Sequence, residues 1–153
     1  MTAALKWSAR TPPGRVTYVN GRYLPHRDAG VHVEDRGLQL GDSIYEVCNI
    51  SGGALIDEEP HLDRMERSLR EIGMAPAMDR AALKLVMREV VRRNRVQHGF
   101  VYMQITRGTA RRDHAVPDAP LRPNLVISTR HVSPAVLEKK LAAQEARSRE
   151  ECE

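Results

Sequence analysis

Aromatic side chains are scarce in this sequence, at 4% of 153 residues, with one tryptophan and one phenylalanine. The core must therefore be built from Val, Leu, Ile, Met and Ala, and a surface that stacks bases on interleaved aromatics has little support. Cysteine is nearly absent. Cys48 sits in an apolar run and Cys152 in a polar stretch, which argues against a disulfide framework and for reduced thiols in a cytoplasmic setting. No apolar run is long enough to cross a bilayer, and the opening MTAALKWSARTPPG lacks the apolar stretch and small-residue cleavage pattern of a secretion signal, so a soluble protein is expected. The six histidines include no H-E-x-x-H and no cysteine–histidine ligand spacing, which leaves a metal site unsupported. Charge of one sign is not concentrated anywhere. The net charge is only +4, with bases and acids interspersed, so neither nucleic acid nor a membrane surface is an expected partner.

What is present reads as one globular domain. Hydrophobic residues make up 41% and charged residues 29%, and a chain of this size buries roughly 68 to 70% of its unfolded surface, enough for one ordinary core. The run VTYVNGRYLP (16–25) sets two β-prone segments around Asn20-Gly21, the dipeptide of a type I′ hairpin. SIYEVCNISGGALID (43–57) repeats that grammar with a strand from Ile44 to Ile50, a Gly52-Gly53 turn and a return strand at 54–56. Leu62, Met65, Leu69 and Ile72 recur at helical spacing over 59–73, and Asp79 is a good N-cap for a second helix, 79–95, striped by Leu83, Val86, Met87, Val90 and Val91. Two more strands are expected at 99–108 and 123–131, and a fraying helix from about 134. The fold class is then α+β: an antiparallel, hairpin-rich sheet packed against two main helices. Residues 1–14 read as an N-terminal extension, 15–132 as the domain, and 133–153 as a terminal helix and divergent tail.

Three stretches can carry chemistry. In TARRDHAVP (109–117), Arg112 and His114 alternate across Asp113, so an extended segment would turn a guanidinium and an imidazole toward one carboxylate. In RGLQLGDSIYEV (36–47), Gly37 and Gly41 bracket a tight, irregular passage, after which Tyr45 offers a phenol. In PHLDR (60–64), Arg64 falls in the first turns of a helix, where it and backbone N–H groups can hold a phosphate. Taken singly, each has a bland counterpart: a solvated basic loop, a packed tyrosine, a helix arginine paired with a nearby acid. RRNR (92–95) reads as cations favoured at a helix C-terminus, and Cys48 as core.

In order and wording, YVNGRYLP, EDRGLQLGDSIYEV, HLDRMERSL, VYMQITRGTARRDHAVP and PNLVISTRHVSPAVLEKKL resemble the class IV pyridoxal-phosphate aminotransferases, and within them the D-amino-acid transaminases. The likeness runs from about Thr17 to about Leu141. It implies the N-terminal domain fold of that family, pyridoxal 5′-phosphate as cofactor, and amino transfer between a D-amino acid such as D-alanine and a 2-oxo acid. It also implies Arg64 as the ligand of the cofactor phosphate, with Tyr45, Arg112 and His114 as a trap for the substrate carboxylate. In that family the Arg-x-His pair reaches into a neighbouring subunit, so the resemblance also implies a homodimer. Branched-chain aminotransferases and aminodeoxychorismate lyases share much of the rest, so they remain alternatives.

One departure matters. The family's second domain supplies the Schiff-base lysine and the acid facing the pyridine nitrogen, whereas Lys6, Lys84, Lys139 and Lys140 all stand in other contexts. No catalytic lysine is therefore assigned. AAQEARSREECE replaces the family's continuation, as a frameshift or early stop would, and the expectation is a truncated chain inactive alone. A non-enzymatic alternative is a remnant, or a subunit that needs a separate C-terminal half.

Overall fold

A computed structural model of the protein describes residues 14–133 and 135–136. The first hairpin joins β1 (Val16–Val19) to β2 (Arg22–Pro25). Its turn places Asn20 at φ 47° and Gly21 at φ 92°, the paired positive angles that a type I′ turn requires. After a single 3-10 turn at His26–Asp28 comes a five-residue helix, α1 (Arg36–Leu40), then the long strand β3 (Ser43–Ser51) and its short return β4 (Ala54–Leu55). Helices α2 (Glu58–Glu71) and α3 (Arg80–Asn94) follow, then β5 (Gly99–Thr106) and β6 (Asn124–His131). The six strands form one sheet in the order β2-β1-β6-β5-β3-β4, and every neighbouring pair is antiparallel.

Alternation along the strands decides which face meets the helices. Cys48 and Ile50 on β3, Val101, Met103 and Ile105 on β5, and Leu125 and Ile127 on β6 are buried together with Leu62, Met65 and Leu69 of α2 and Leu83, Met87, Val90 and Val91 of α3. Burying each such leucine or isoleucine contributes roughly 1.5 to 3 kcal/mol, so the aliphatic core foreseen from the lack of aromatics is sufficient. The fold is the expected α+β, an antiparallel sheet with two main helices.

Boundaries differ by a residue or two. Asp79 caps α3 as foreseen, its Oδ1 accepting from the Ala82 N–H at 2.9 Å. At the other end Arg95 takes a left-handed conformation, φ 50°, and closes the helix. The passage between Gly37 and Gly41 is not irregular but helical, because Asp35 caps it and Gly41 ends it at φ 70°. Of the helix expected from about 134, only Ala135 and Val136 are described. Residues 1–13 of the N-terminal extension, Lys6 among them, and Lys139, Lys140 and Cys152 lie outside the described residues. Among the described residues no helix is long and apolar enough to cross a membrane.

Cys48 is core, as expected. It is fully buried, its Sγ donates to the Ile56 carbonyl at 3.0 Å, and burial together with the nearby Glu58 pushes its thiol up to about 11. Thiolate is the reactive form, so peptide mapping after treatment with a thiol reagent at pH 8 should find Cys48 unmodified until denaturant is added. Labelling of the native protein would contradict this packing.

Candidate active site

The distinctive chemistry gathers where β3 begins and β5 ends. Asp35 is wholly buried there. Its Oδ1 caps α1 by accepting from the Leu38 N–H at 3.0 Å, and its Oδ2 accepts from the Thr106 hydroxyl at 2.6 Å and the Asn124 amide at 2.7 Å. One carboxylate thus ties α1 to the last residue of β5 and the first of β6. Gly37 lies so close to the Thr106 side chain that a Cβ at this position would overlap it; Gly37→Ala would force a repacking of the kind that costs about 1 to 3 kcal/mol.

Arg36, next in sequence, is 2% exposed. Its Nε donates to Asp42 Oδ2 at 2.8 Å, and its Nη1 donates to the carbonyls of Asp113 at 2.8 Å and Ala115 at 3.2 Å. Arg107 approaches the same Asp42, its Nε donating to Oδ1 at 3.0 Å and Oδ2 at 2.8 Å, while its Nη1 and Nη2 donate to the carbonyls of Gly73 and Ile72. Burial pushes the Asp42 carboxyl up, but the hydrogen bonds and charges of Arg107 and Arg36 outweigh it and hold the group below its usual range.

The loop 109–123 that follows β5 carries Arg112 and His114, both exposed. The extended conformation expected for this pair is not what forms. The chain bends at Arg112 and at His114, because the Asp113 carboxylate accepts from the Ala115 N–H at 3.0 Å while Arg36 pins the carbonyls on either side of His114. Strand alternation therefore does not decide where the two side chains point. Among the described residues neither forms a hydrogen bond or ion pair with Tyr45 or Arg64.

Tyr45 stands on β3 opposite Gln104 of β5, two residues before the loop departs, and is 65% exposed. Its ring stacks on Tyr102, with centroids 5.8 Å apart and an interplanar angle of 22°. Glu46, the next residue, faces the other side of the sheet and is buried. Arg64 reaches it from α2 with a two-pronged contact, Nε to Oε1 and Nη2 to Oε2, both at 2.7 Å. His61, one helical turn earlier, places Nδ1 2.9 Å from Oε2. The hydrogen bonds and charge of Glu46 make the Arg64 guanidinium hold its proton more tightly, and the Tyr45 hydroxyl is near enough to add to the effect. Arg64 thus turns toward Glu46, sharing it with His61 of the first turn of α2, a turn that also holds the acids Glu58 and Glu59. Its Nη1 forms no hydrogen bond among the described residues, and its side chain is 55% exposed, so the locked guanidinium still offers donors outward.

Burial pushes the Glu46 carboxyl up, yet hydrogen bonds from Arg64 and His61 win and depress it. A depressed carboxylate stabilises the fold above its unfolded value and loses that contribution as pH falls through its folded value. Asp42 acts in the same sense. The urea midpoint should therefore stay level from pH 7 to about pH 5 and fall below about pH 4.5 as these two carboxylates are forced to take protons. A midpoint unchanged down to about pH 3 would rule out both depressed groups.

Arg36, Asp35, Asp42, Glu46, His61 and Arg107 had no assigned role in the sequence reading. Only Asp35 carries a local signal, as an N-cap residue type three positions before Leu38 in a stretch closed by Gly41.

Residues 43–151 match the model of the amino-transferase class IV family. The D-alanine aminotransferase of Bacillus licheniformis is 40% identical over 95 residues, which cover 62% of this chain and 34% of the relative. That of Staphylococcus epidermidis is 35% identical over 113 residues, 74% of this chain and 40% of the relative. Among solved structures, the branched-chain amino acid aminotransferase from Escherichia coli superimposes with a TM-score of 0.72 at 19% identity, covering 78% of this chain and 41% of that one. The 4-amino-4-deoxychorismate lyase from Pseudomonas aeruginosa gives 0.60 at 30% identity, over 75% of this chain and 39% of that one. The chain thus spans at most 41% of the length of these relatives.

Proposed function

Because the chain belongs to the class IV aminotransferase family, we propose that it forms the substrate-gripping part of a D-amino-acid transaminase. The observation that carries this reading is the loop 109–123, whose exposed Arg112 and His114 are presented on a backbone that Arg36 anchors at Asp113 and Ala115. A guanidinium and an imidazole on a fixed loop suit a small carboxylate, since each charge-assisted hydrogen bond contributes about 1.5 to 3 kcal/mol. Tyr45 stands at the same end of the sheet with its hydroxyl available to the same carboxylate. A D-alanine-like substrate, with few other handles, would be oriented by these three groups, and a 2-oxo acid would be held through the same carboxylate.

The family's cofactor is pyridoxal 5′-phosphate, which supplies the electron-withdrawing ring on which amino transfer depends. The residues at the β3–α2 junction fit its phosphate: Arg64 is charged, half-exposed, locked by Glu46 on one side and free at Nη1 on the other. Arg64 would hold the phosphate, and Glu46 and His61 would keep its guanidinium from swinging. These groups bind and orient. Proton transfer needs a further group, and Lys84 does not fit that need, because its ammonium pairs with Glu58 and Glu59 on the outer side of α2 and α3. No lysine of this chain is given the role of base.

Exposed apolar residues flank the site, including Val33, Leu38, Tyr45 and Val116. They support a homodimer in which Arg112 and His114 serve a neighbouring subunit. Light scattering should then report a dimer, and a well-behaved monomer would count against it.

The test of the reading is cofactor titration of the purified chain by absorbance, followed by borohydride reduction and intact mass, with D-alanine and 2-oxoglutarate turnover in parallel. Cofactor should bind, and Arg64→Ala should weaken it by about 10- to 150-fold. Reduction should leave no stoichiometric lysine adduct, and the 153-residue chain alone should not turn over. Binding indifferent to Arg64→Ala would remove Arg64 from the site. In an active protein that contains this chain, preference for L-leucine over D-alanine would favour a branched-chain aminotransferase instead.

A further inference from the structure

At the opposite end of the same strands the surface has a different character. Val126 of β6 lies in one row with Gln104 and Tyr45, and Arg130 is four residues further along β6, about 13 Å away at the usual strand rise. There the start of β1, the end of α3 and the end of β6 enclose an open cleft of about 620 Å³ whose lining includes Arg15, Arg93, Arg95, Thr129, Arg130 and His131. Among the described residues no carboxylate lines it. A cleft of that size suits a small-molecule ligand.

The helix dipole accounts for part of this charge. Cations are favoured at a helix C-terminus, and Arg93 and Arg95 belong to the end of α3. Arg93 is also spoken for, with its Nε donating to Glu89 at 2.7 Å and its guanidinium 4.1 Å above the Tyr23 ring. Neither argument covers Arg15 and Arg130, which arrive from β1 and β6. Among the described residues Arg15, Arg95 and Arg130 form no ion pair, and the Nε of Arg15 is buried without a hydrogen-bond partner. The position of Arg15 is not accidental slack. Asn94 grips the next residue, Val16, by both its N–H at 2.7 Å and its carbonyl at 2.8 Å, so the start of β1 is fixed to the end of α3.

Like charges held on a rigid frame repel one another, and a half-buried guanidinium with an orphaned N–H is costly. Burial, and then the proximity of Arg130, lower the affinity of Arg15 for its own proton. An anion seated among these groups would relieve both costs, and guanidinium forks match phosphoryl oxygens.

We infer that this cleft is a binding site, separate from the candidate active site, for a small polyanion bearing two or more phosphoryl groups. The guanidiniums of Arg15, Arg95 and Arg130, which form no ion pair among the described residues, supply the matching charge, and His131 and Thr129 stand at its wall. The inference does not depend on the transaminase reading, because none of these residues belongs to it.

Calorimetric titration of the 153-residue chain with inorganic pyrophosphate at moderate salt tests it. The expected result is one site, weakened about tenfold or more by Arg15→Gln and by Arg130→Gln, and unmoved by Arg64→Ala. Arg95→Gly guards against misfolding as the explanation: it removes a guanidinium while relieving the positive φ of 50° at that position, so a folded, more stable variant with weakened binding supports the site. No binding to the unaltered chain up to about 10 mM probe would overturn the inference. So would binding lost only in Arg64→Ala, which would place the probe at the other end of the sheet, or binding that survives all three cleft variants.

Discussion

Replacing Arg36 by alanine should lower the free energy of unfolding by about 3 kcal/mol, the low end of what removing one partner of a buried ion pair costs. The low end applies because Asp42 keeps Arg107 as a second partner, whereas the Asp113 and Ala115 carbonyls stand in an exposed loop where water can replace the lost donors. Against a total of roughly 5 to 15 kcal/mol for a domain, this is a large fraction. Arg36→Lys should recover only part of it, since an ammonium can approach Asp42 but cannot span from the carboxylate to two carbonyls as a planar fork does. Urea unfolding monitored by circular dichroism gives the number. A loss below about 1 kcal/mol for the alanine variant would mean that the contacts to Asp42 and the loop contribute no more than a surface pair.

The largest effect on function is expected at Arg112. In an active, cofactor-loaded protein that contains this chain, Arg112→Ala should reduce kcat/KM for D-alanine by about 2 to 4 kcal/mol, roughly 30- to 1000-fold. The cost exceeds a surface ion pair because Arg112 would be the main counter-charge of the substrate carboxylate and a charge-assisted fork is about twice as strong as a neutral hydrogen bond. His114→Ala should cost less, since an imidazole offers a single ring N–H toward the carboxylate where a guanidinium offers a two-pronged fork. If Arg112 only orients the substrate, the loss should grow for small substrates that have no other handle. An unchanged kcat/KM would take Arg112 out of the site and leave the loop as a solvated surface feature.

These expectations rest on contacts that differ in how far the sequence displays them. The hairpin turn at Asn20-Gly21 was legible because the dipeptide itself sets the backbone angles, and α3 because a five-residue apolar stripe and an Asp cap agree over its length. Helix α1 was not, since five residues are too few to show a period, and Gly37 within it and Gly41 after it read as loop. Tyr45, Arg64, Arg112 and His114 were singled out as residue types that can carry chemistry, and the family resemblance then implied their roles. Their supports were hidden for another reason: Arg36 meets Asp113 across 77 positions and Arg107 meets Asp42 across 65. Glu46 occupies a buried slot in a strand, where a lone acid gives no local sign that an arginine 18 residues on will satisfy it. Local propensity carries no record of partners so distant.

Asp42 also sets a rule for how this end of the molecule can vary. Through Arg36 it reaches the backbone that presents Arg112 and His114, and through Arg107 it reaches the last carbonyls after α2, the helix that carries Arg64. The spacing between the arm proposed to hold a phosphate and the arm proposed to hold a carboxylate is thereby gauged from one carboxylate. Lengthening the end of α2 by a residue, or shortening the loop before Asp113, would strain the same short side chain from opposite directions, so insertions in the two segments should be tolerated together more readily than either alone.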